Sequence, residues 1–174
     1  MSGKQRVTEL PEEKTGHIIR DSALGLVPEV LEPYLRLNKA LWTQGALSPA
    51  DLGIARLRNA RKVNCVFCKS VRYDVAKSAG LGEDRVSQIE DGYDESNTLS
   101  ERDKLILAYT DQYLNDPANL SDALKEKLSA SFSREELIHL SLGLVMVNAY
   151  SRAAVAFGGM PEGELPLMEI PVPE

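Results

Sequence analysis

The stretch "VNCVFCKSVRYDVAKSAG", Val63 to Gly80, decides how this chain is read, because it holds both cysteines, Cys65 and Cys68, and has the texture of one helix. Asn64 is a good N-cap residue, which places Cys65 at the first helical position and Cys68 at the fourth. Unpaired N–H groups in a first helical turn carry partial positive charge and favour a thiolate over a thiol. Separation by three residues puts both sulfurs on one face, within reach of a disulfide. Arg72 follows Cys68 by four residues and is expected on the same side, one turn on. Phe67, Val71, Val75 and Ala79 are expected to face the core beside them.

Outward from this stretch the chain reads as helical. "LSPAD" presents Ser48 as N-cap, Pro49 at the first helical position and Asp51 in the first turn. Ser100 with Asp103, and Ser133 with Glu136, repeat the pattern of a capping box. Helices are expected over Glu29–Trp42, Pro49–Lys62, Cys65–Ala79, Ser100–Leu114, Ser121–Ala130 and Arg134–Phe157, with shorter turns near Glu83–Glu90. Breakers lie at Gly80 and Gly82, in "DGYDESN" and "NDPANLS", and at Gly158 and Gly159. Strand signals are scarce. The expectation is a single all-α domain over residues 1–174, a compact bundle of about six to eight helices ending in an extended Pro-rich tail from residue 160.

Composition bounds the function. Hydrophobic residues make up 43% and charged ones 26%, ordinary for a globular chain, and the formal net charge is −6. With no concentrated basic surface, a nucleic-acid partner is not expected. The amino terminus lacks the apolar run of a secretory signal, and "LIHLSLGLVMVNAY" reads as too short and too interrupted for a membrane span, so a cytoplasmic location is expected. Because the last helix is apolar on nearly every face, it is expected to be buried centrally or by a partner subunit.

In a reducing compartment two close cysteines suggest catalysis or metal binding more than a permanent staple. Buried free cysteines that merely pack well are the plain alternative. A zinc site lacks ligands, since His17 and His139 are both far from the pair in sequence. A thioredoxin-type site needs a strand before the CxxC, and "IARLRNARKV" looks helical. His139 suits a core histidine with a satisfied hydrogen bond, or a group approaching the dithiol from another helix. Tyr73 and Asp74 are expected on a solvated helix surface, as are Arg56, Arg58, Arg61 and Lys62.

An all-α chain with "RLRNARKVNCVFCKSVRYDVAKSAGL", followed by "LSERDKLILAYTDQYLNDPANLS" and "FSREELIHLSLGLVMVNAYSRAAVAFG", resembles the alkylhydroperoxidase D-like branch of the carboxymuconolactone decarboxylase family. The family's Asn-x-x-x-Arg ending corresponds to Asn148 and Arg152. The resemblance implies a helical homo-oligomer (dimer, trimer or hexamer) that reduces a peroxide or disulfide through a Cys65/Cys68 cycle. It implies no metal or organic cofactor, and leaves room for a thiol reductant protein. Carried over, Cys68 is the attacking cysteine and Cys65 the resolving one, although dipole reasoning favours Cys65 as the more acidic thiol. The family's proton relay is missing: its histidine is Arg72 here, and its glutamate is Gly53. Arg72 can hold a Cys68 thiolate by charge but cannot shuttle protons near neutrality. Gly53 leaves room for a bulky neighbour or a ligand. Weak peroxidase turnover, or a preference for disulfide exchange, is therefore expected. The alternatives are a decarboxylase-like enzyme on a small carboxylated substrate, and a diverged binding or assembly protein.

Overall fold

Helix starts form where serine side chains can take up the orphan N–H groups of a first turn. In the computed structural model, which describes residues 6–7, 9–158 and 161–173, Ser48 accepts from Ala50 N–H, and Ser100 and Ser133 each close a full capping box. Eight α-helices result among the described residues: α1 Pro28–Thr43, α2 Pro49–Val63, α3 Val66–Ser70, α4 Asp74–Ser78, α5 Glu83–Val86, α6 Glu101–Asn115, α7 Asp122–Ser131 and α8 Arg134–Phe157. The expected all-α class holds. Gly158 ends α8 with positive φ, whereas Gly159 lies outside the described residues, as do positions 160 and 174 of the tail.

The expected continuous helix Cys65–Ala79 does not form. Asn64 is not an N-cap but ends α2 in the left-handed conformation, at φ 56°. Its N–H reaches Arg61 O, and Cys65 N–H reaches Ala60 O, the pair of bonds that closes a helix with an αL residue. Cys65 then caps the five-residue α3, its sulfur accepting from Cys68 N–H. After Ser70 the chain becomes extended over Val71–Tyr73 (β1), which pairs in parallel with Met168–Ile170 of the tail (β2). The tail is extended as expected, but it is fastened to the body.

At the centre lies α2, buried at every position from Ala50 to Ala60. It packs against α8, α6 and α4, and the main core gathers Leu52, Ile54, Leu57, Ile106, Leu107, Leu140 and Leu144 around it. The helices approach closely where α8 carries Gly143: a Cβ there would overlap the side chain of Leu52. By length and composition alone α8 meets the requirement for crossing a membrane, longer than the apolar segment suggested. One face packs on the body with His139, Leu140, Leu144 and Met146 buried, but Ile138, Leu142 and Val145 are more than half exposed, so the described residues cover α8 on one side only.

Buried charges tie the helices together. Asp51 on α2 accepts from Arg102 Nε at 2.9 Å, and Arg102 also reaches Glu136 on α8. Arg58 forks onto Asp111 at 2.6–2.7 Å and bonds Asp91 at 2.7 Å. The solvated face expected for Arg56 and Arg58 is therefore absent; both are buried, because each guanidinium meets acceptors supplied from distant parts of the chain.

Candidate functional site

The two cysteines are joined in a disulfide, with Cα atoms 5.2 Å apart. They are not equivalent. Cys65 is fully buried, while Cys68 lines the wall of a cavity of about 310 Å³. The cavity is floored by α8 and α2 and roofed by the N-terminal segment and the tail, with Ile19, Leu24, Phe67, Val147, Phe157 and Met168 among its apolar lining. Phe67 is thus an exposed cavity residue rather than a core residue.

A chain of hydrogen bonds ends on the outer sulfur. Arg152 Nε donates to Asn148 Oδ1 at 3.0 Å, and Asn148 Nδ2 donates to Asn59 Oδ1 at 2.7 Å. Asn59 Nδ2 then donates to Ser151 Oγ at 3.1 Å, and Ser151 Oγ donates to Cys68 Sγ at 3.3 Å. Every donor points toward Cys68. Such a run of aligned dipoles, starting at a guanidinium, polarises its last hydroxyl and favours negative charge on the sulfur. It holds charge but does not move protons, because carboxamides in series have no proton to pass on. Asn148 and Arg152 were legible as a motif; Asn59 and Ser151 were not, since only the packing of α8 on α2 brings them together.

Arg56 is a second cation at this site, set against the backbone of the cysteine segment. It is 7% exposed; Nη2 donates to Cys68 O at 3.2 Å and Nη1 to Val71 O at 3.0 Å, so it takes up carbonyls that the broken helix leaves without helical partners. Its guanidinium lies 4.5 Å from the centroid of the Tyr73 ring, and Tyr73 in turn packs edge-on against Trp42 at 4.8 Å. Tyr73 is thus half-buried at the cavity, not on a solvated surface. The signal available for Arg56 was its position three residues after Gly53, one turn along the helix face that carries a relay position.

Arg72 goes elsewhere. Because β1 replaces the expected turn of helix, the four-residue spacing no longer stacks Arg72 on Cys68. Its guanidinium pairs with Glu83 at 2.7 Å and donates to Lys69 O, and it lines a second cavity of about 220 Å³. Gly53 lines that second cavity too, where a Cβ would stand 2.6 Å from Leu81 Cδ2 and 3.2 Å from Ala76 Cβ. Of the two uses open to this glycine, making room for neighbouring side chains is the one observed.

The other sequence candidates are structural. His139 is buried; its Nδ1 accepts from Leu47 N–H at 2.9 Å, which assigns the remaining proton to Nε2, facing Leu41 O at 2.8 Å. It pins α8 to the α1–α2 connection and does not line either cavity. Burial raises the pKa of Asp51 against the opposing pull of Arg102. Asp74 accepts from Val75 N–H at the start of α4. His17 accepts from Ile19 and Arg20 N–H in the N-terminal segment, and burial lowers its pKa. Tyr150, at the cavity wall, is pushed up to about 12 by burial and stays a neutral phenol near neutrality. Among the described residues no cluster of His, Cys, Asp and Glu is arranged to hold a metal.

No protein-family profile matches the chain. Two uncharacterised proteins of Mycobacterium tuberculosis, from strains CDC 1551 and H37Rv, are each 33% identical to it over 144 residues, covering 83% of this chain and 49% of theirs. The chain thus spans about half the length of these curated relatives. A solved structure from Agrobacterium tumefaciens, of a protein of unknown function described as a candidate antioxidant defence protein AhpD, matches with a TM-score of 0.65. Identity to it is 21%, and the match covers 79% of this chain and 94% of that one. This likeness shows the fold: the helical alkylhydroperoxidase D-like architecture expected from the sequence is the one observed.

Proposed function

We propose that this chain is a thiol oxidoreductase of the alkylhydroperoxidase D-like family, cycling Cys65 and Cys68 between dithiol and disulfide. One observation carries the reading: the outer sulfur of a CxxC disulfide borders an apolar cavity and receives the last bond of a one-way donor chain. That environment favours Cys68 as the thiolate, and the complete burial of Cys65 suits a resolving thiol.

In the reduced protein the Cys68 thiolate attacks one oxygen of a peroxide; the O–O bond breaks, and the departing alkoxide takes its proton from water. The Cys65 thiol then attacks the sulfur of the resulting sulfenic acid on Cys68; the S–O bond breaks, the hydroxyl leaves as water with the thiol proton, and the disulfide forms. With a disulfide substrate, Cys68 attacks one sulfur and expels the other as thiolate, and Cys65 then resolves the mixed disulfide. An external thiol reductant returns the two electrons. Neither Arg72 nor the amide chain can supply a proton to an alkoxide, whereas a thiolate leaves without one. Disulfide exchange is therefore the faster reaction. The chain assembles as a homo-oligomer, with the exposed apolar side of α8 as the supporting feature.

The test is thiol titration of the reduced protein before and after addition of a small disulfide or an organic hydroperoxide. Both thiols are expected to be consumed per chain. Cys68→Ser should be inert, and Cys65→Ser should stop at a mixed disulfide or sulfenic acid on Cys68. Thiols that stay free and unreactive in the folded protein would sink the redox reading.

A further inference from the structure

The larger cavity holds a charge that the dithiol chemistry leaves uncompensated in the oxidised protein. Among the described residues lining it, Arg56 is the sole charged side chain. Its partners are all neutral: the carbonyls of Cys68 and Val71, and the ring of Tyr73. No carboxylate of the described residues pairs with it, although Arg58, Arg61, Arg72 and Arg102 each have one. A guanidinium carries five N–H donors, and two are engaged by carbonyls, so donors remain. Arginine keeps its charge even when buried. A buried cation without a counter-ion is unfavourable, and an anion entering the cavity relieves it.

The rest of the lining says what that anion must carry. The walls away from Arg56 are predominantly apolar, with Ile18, Ile19, Leu24, Phe157 and Ile170 among them, and the polar lining there (Ser22, Asn38, Ser151 and the phenols of Tyr34 and Tyr150) is uncharged. A volume of about 310 Å³ falls at the small end of the range for organic ligands. A guanidinium takes carboxylate and phosphate oxygens alike in two-bond geometry, but one cation in an otherwise uncharged lining balances one negative charge, which favours a carboxylate over a doubly charged phosphate.

We infer that the cavity binds an apolar monocarboxylate of the fatty-acid class, with its headgroup on Arg56 and its hydrocarbon chain along the apolar wall beside Cys68. Resting on the thiol reading above, the oxidant that this site would select is a hydroperoxide or disulfide borne on such a carboxylate. The binding itself needs no turnover.

Calorimetry on the oxidised full chain tests it with three probes of one tail: decanoate, decan-1-ol and decylammonium. Decanoate is expected to bind at one site, about tenfold or more tighter than decan-1-ol, as hydrogen bonding to a charged group predicts, and decylammonium not at all. Ala154→Phe, which puts a phenyl group into the cavity lining and leaves Arg56 in the chain, should abolish decanoate binding. Arg56→Met should erase the difference between acid and alcohol, and Arg56→Lys should keep much of it. If Arg56→Met does not fold, the headgroup series and Ala154→Phe still decide. Equal affinity for decanoate and decan-1-ol, or decanoate binding that survives Ala154→Phe, overturns the assignment. The outcomes separate from the redox reading: a chain that cycles its dithiol but ignores the headgroup loses only the ligand. One that binds decanoate with inert thiols loses only the chemistry.

Discussion

Cys68 owes its chemistry to what Ser151 does. The hydroxyl donates to the sulfur at 3.3 Å, and it is itself held by Asn59, so its direction is set before the sulfur is reduced. Removing it takes a hydrogen bond from the charged form of the thiol, an interaction of about 1.5–3 kcal/mol. Since one pKa unit corresponds to about 1.4 kcal/mol, Ser151→Ala is expected to move the pH midpoint of Cys68 alkylation up by about one unit or more. Ser151→Thr should leave it nearly in place. An unchanged profile in the alanine variant would show that the donor chain does not act on the sulfur. At this scale the sequence is informative about residue types and silent about partners. "NCVFC" announces the dithiol, and Asn148 and Arg152 announce a motif. That they are linked through Asn59 and Ser151 follows only from the way α8 lies on α2.

At the scale of elements, the start of α8 is held by a carboxylate with two tasks. Glu136 accepts from Ser133 N–H to complete the capping box, and from Arg102, which also holds Asp51 on α2. The bond from the Ser133 backbone, helped by Arg102, lowers the pKa of Glu136 from its ordinary value of 4.5. A depressed carboxylate pKa stabilises the fold above the unfolded value, and that contribution disappears as pH falls through the folded value. Wild type is therefore expected to be more stable than Glu136→Gln at pH 7. In chemical denaturation at a series of pH values, the gap should narrow below about pH 4.5 and close at lower pH. A gap that is constant with pH would mean that the amide loses shape rather than charge. The caps of α2, α6 and α8 were readable because each is written within three or four residues. The break in the cysteine helix was not, because Val71–Tyr73 is extended by pairing with Met168–Ile170, almost a hundred positions later.

For the whole molecule, the exposed edge of α8 is an apolar ridge that the described residues leave uncovered. Ile138, Leu142 and Val145 recur at helical spacing, 61%, 52% and 54% exposed, on a helix whose other face is core. A second copy of the chain covering this ridge is the expected outcome. Light scattering on the wild type should give a multiple of the 19.1 kDa chain mass, and Leu142→Glu should shift it toward the single chain. A wild type that elutes as a monomer at micromolar concentration would remove the oligomer from the proposal.

By itself the sequence determined the helical class, most of the helix boundaries and the presence of a CxxC pair, with Gly53 and Arg72 at the positions where the family it resembles carries a glutamate and a histidine. These depend on capping, periodicity and residue identity, which act over a few neighbouring positions. Tertiary structure alone decided that Arg72 turns away to Glu83, that Arg56 stands beside the cavity in its place, and that four side chains from α2 and α8 converge on Cys68. The physical reason is that a buried charge or an extended strand is stable only with a particular partner. Here those partners arrive from segments far apart in the chain.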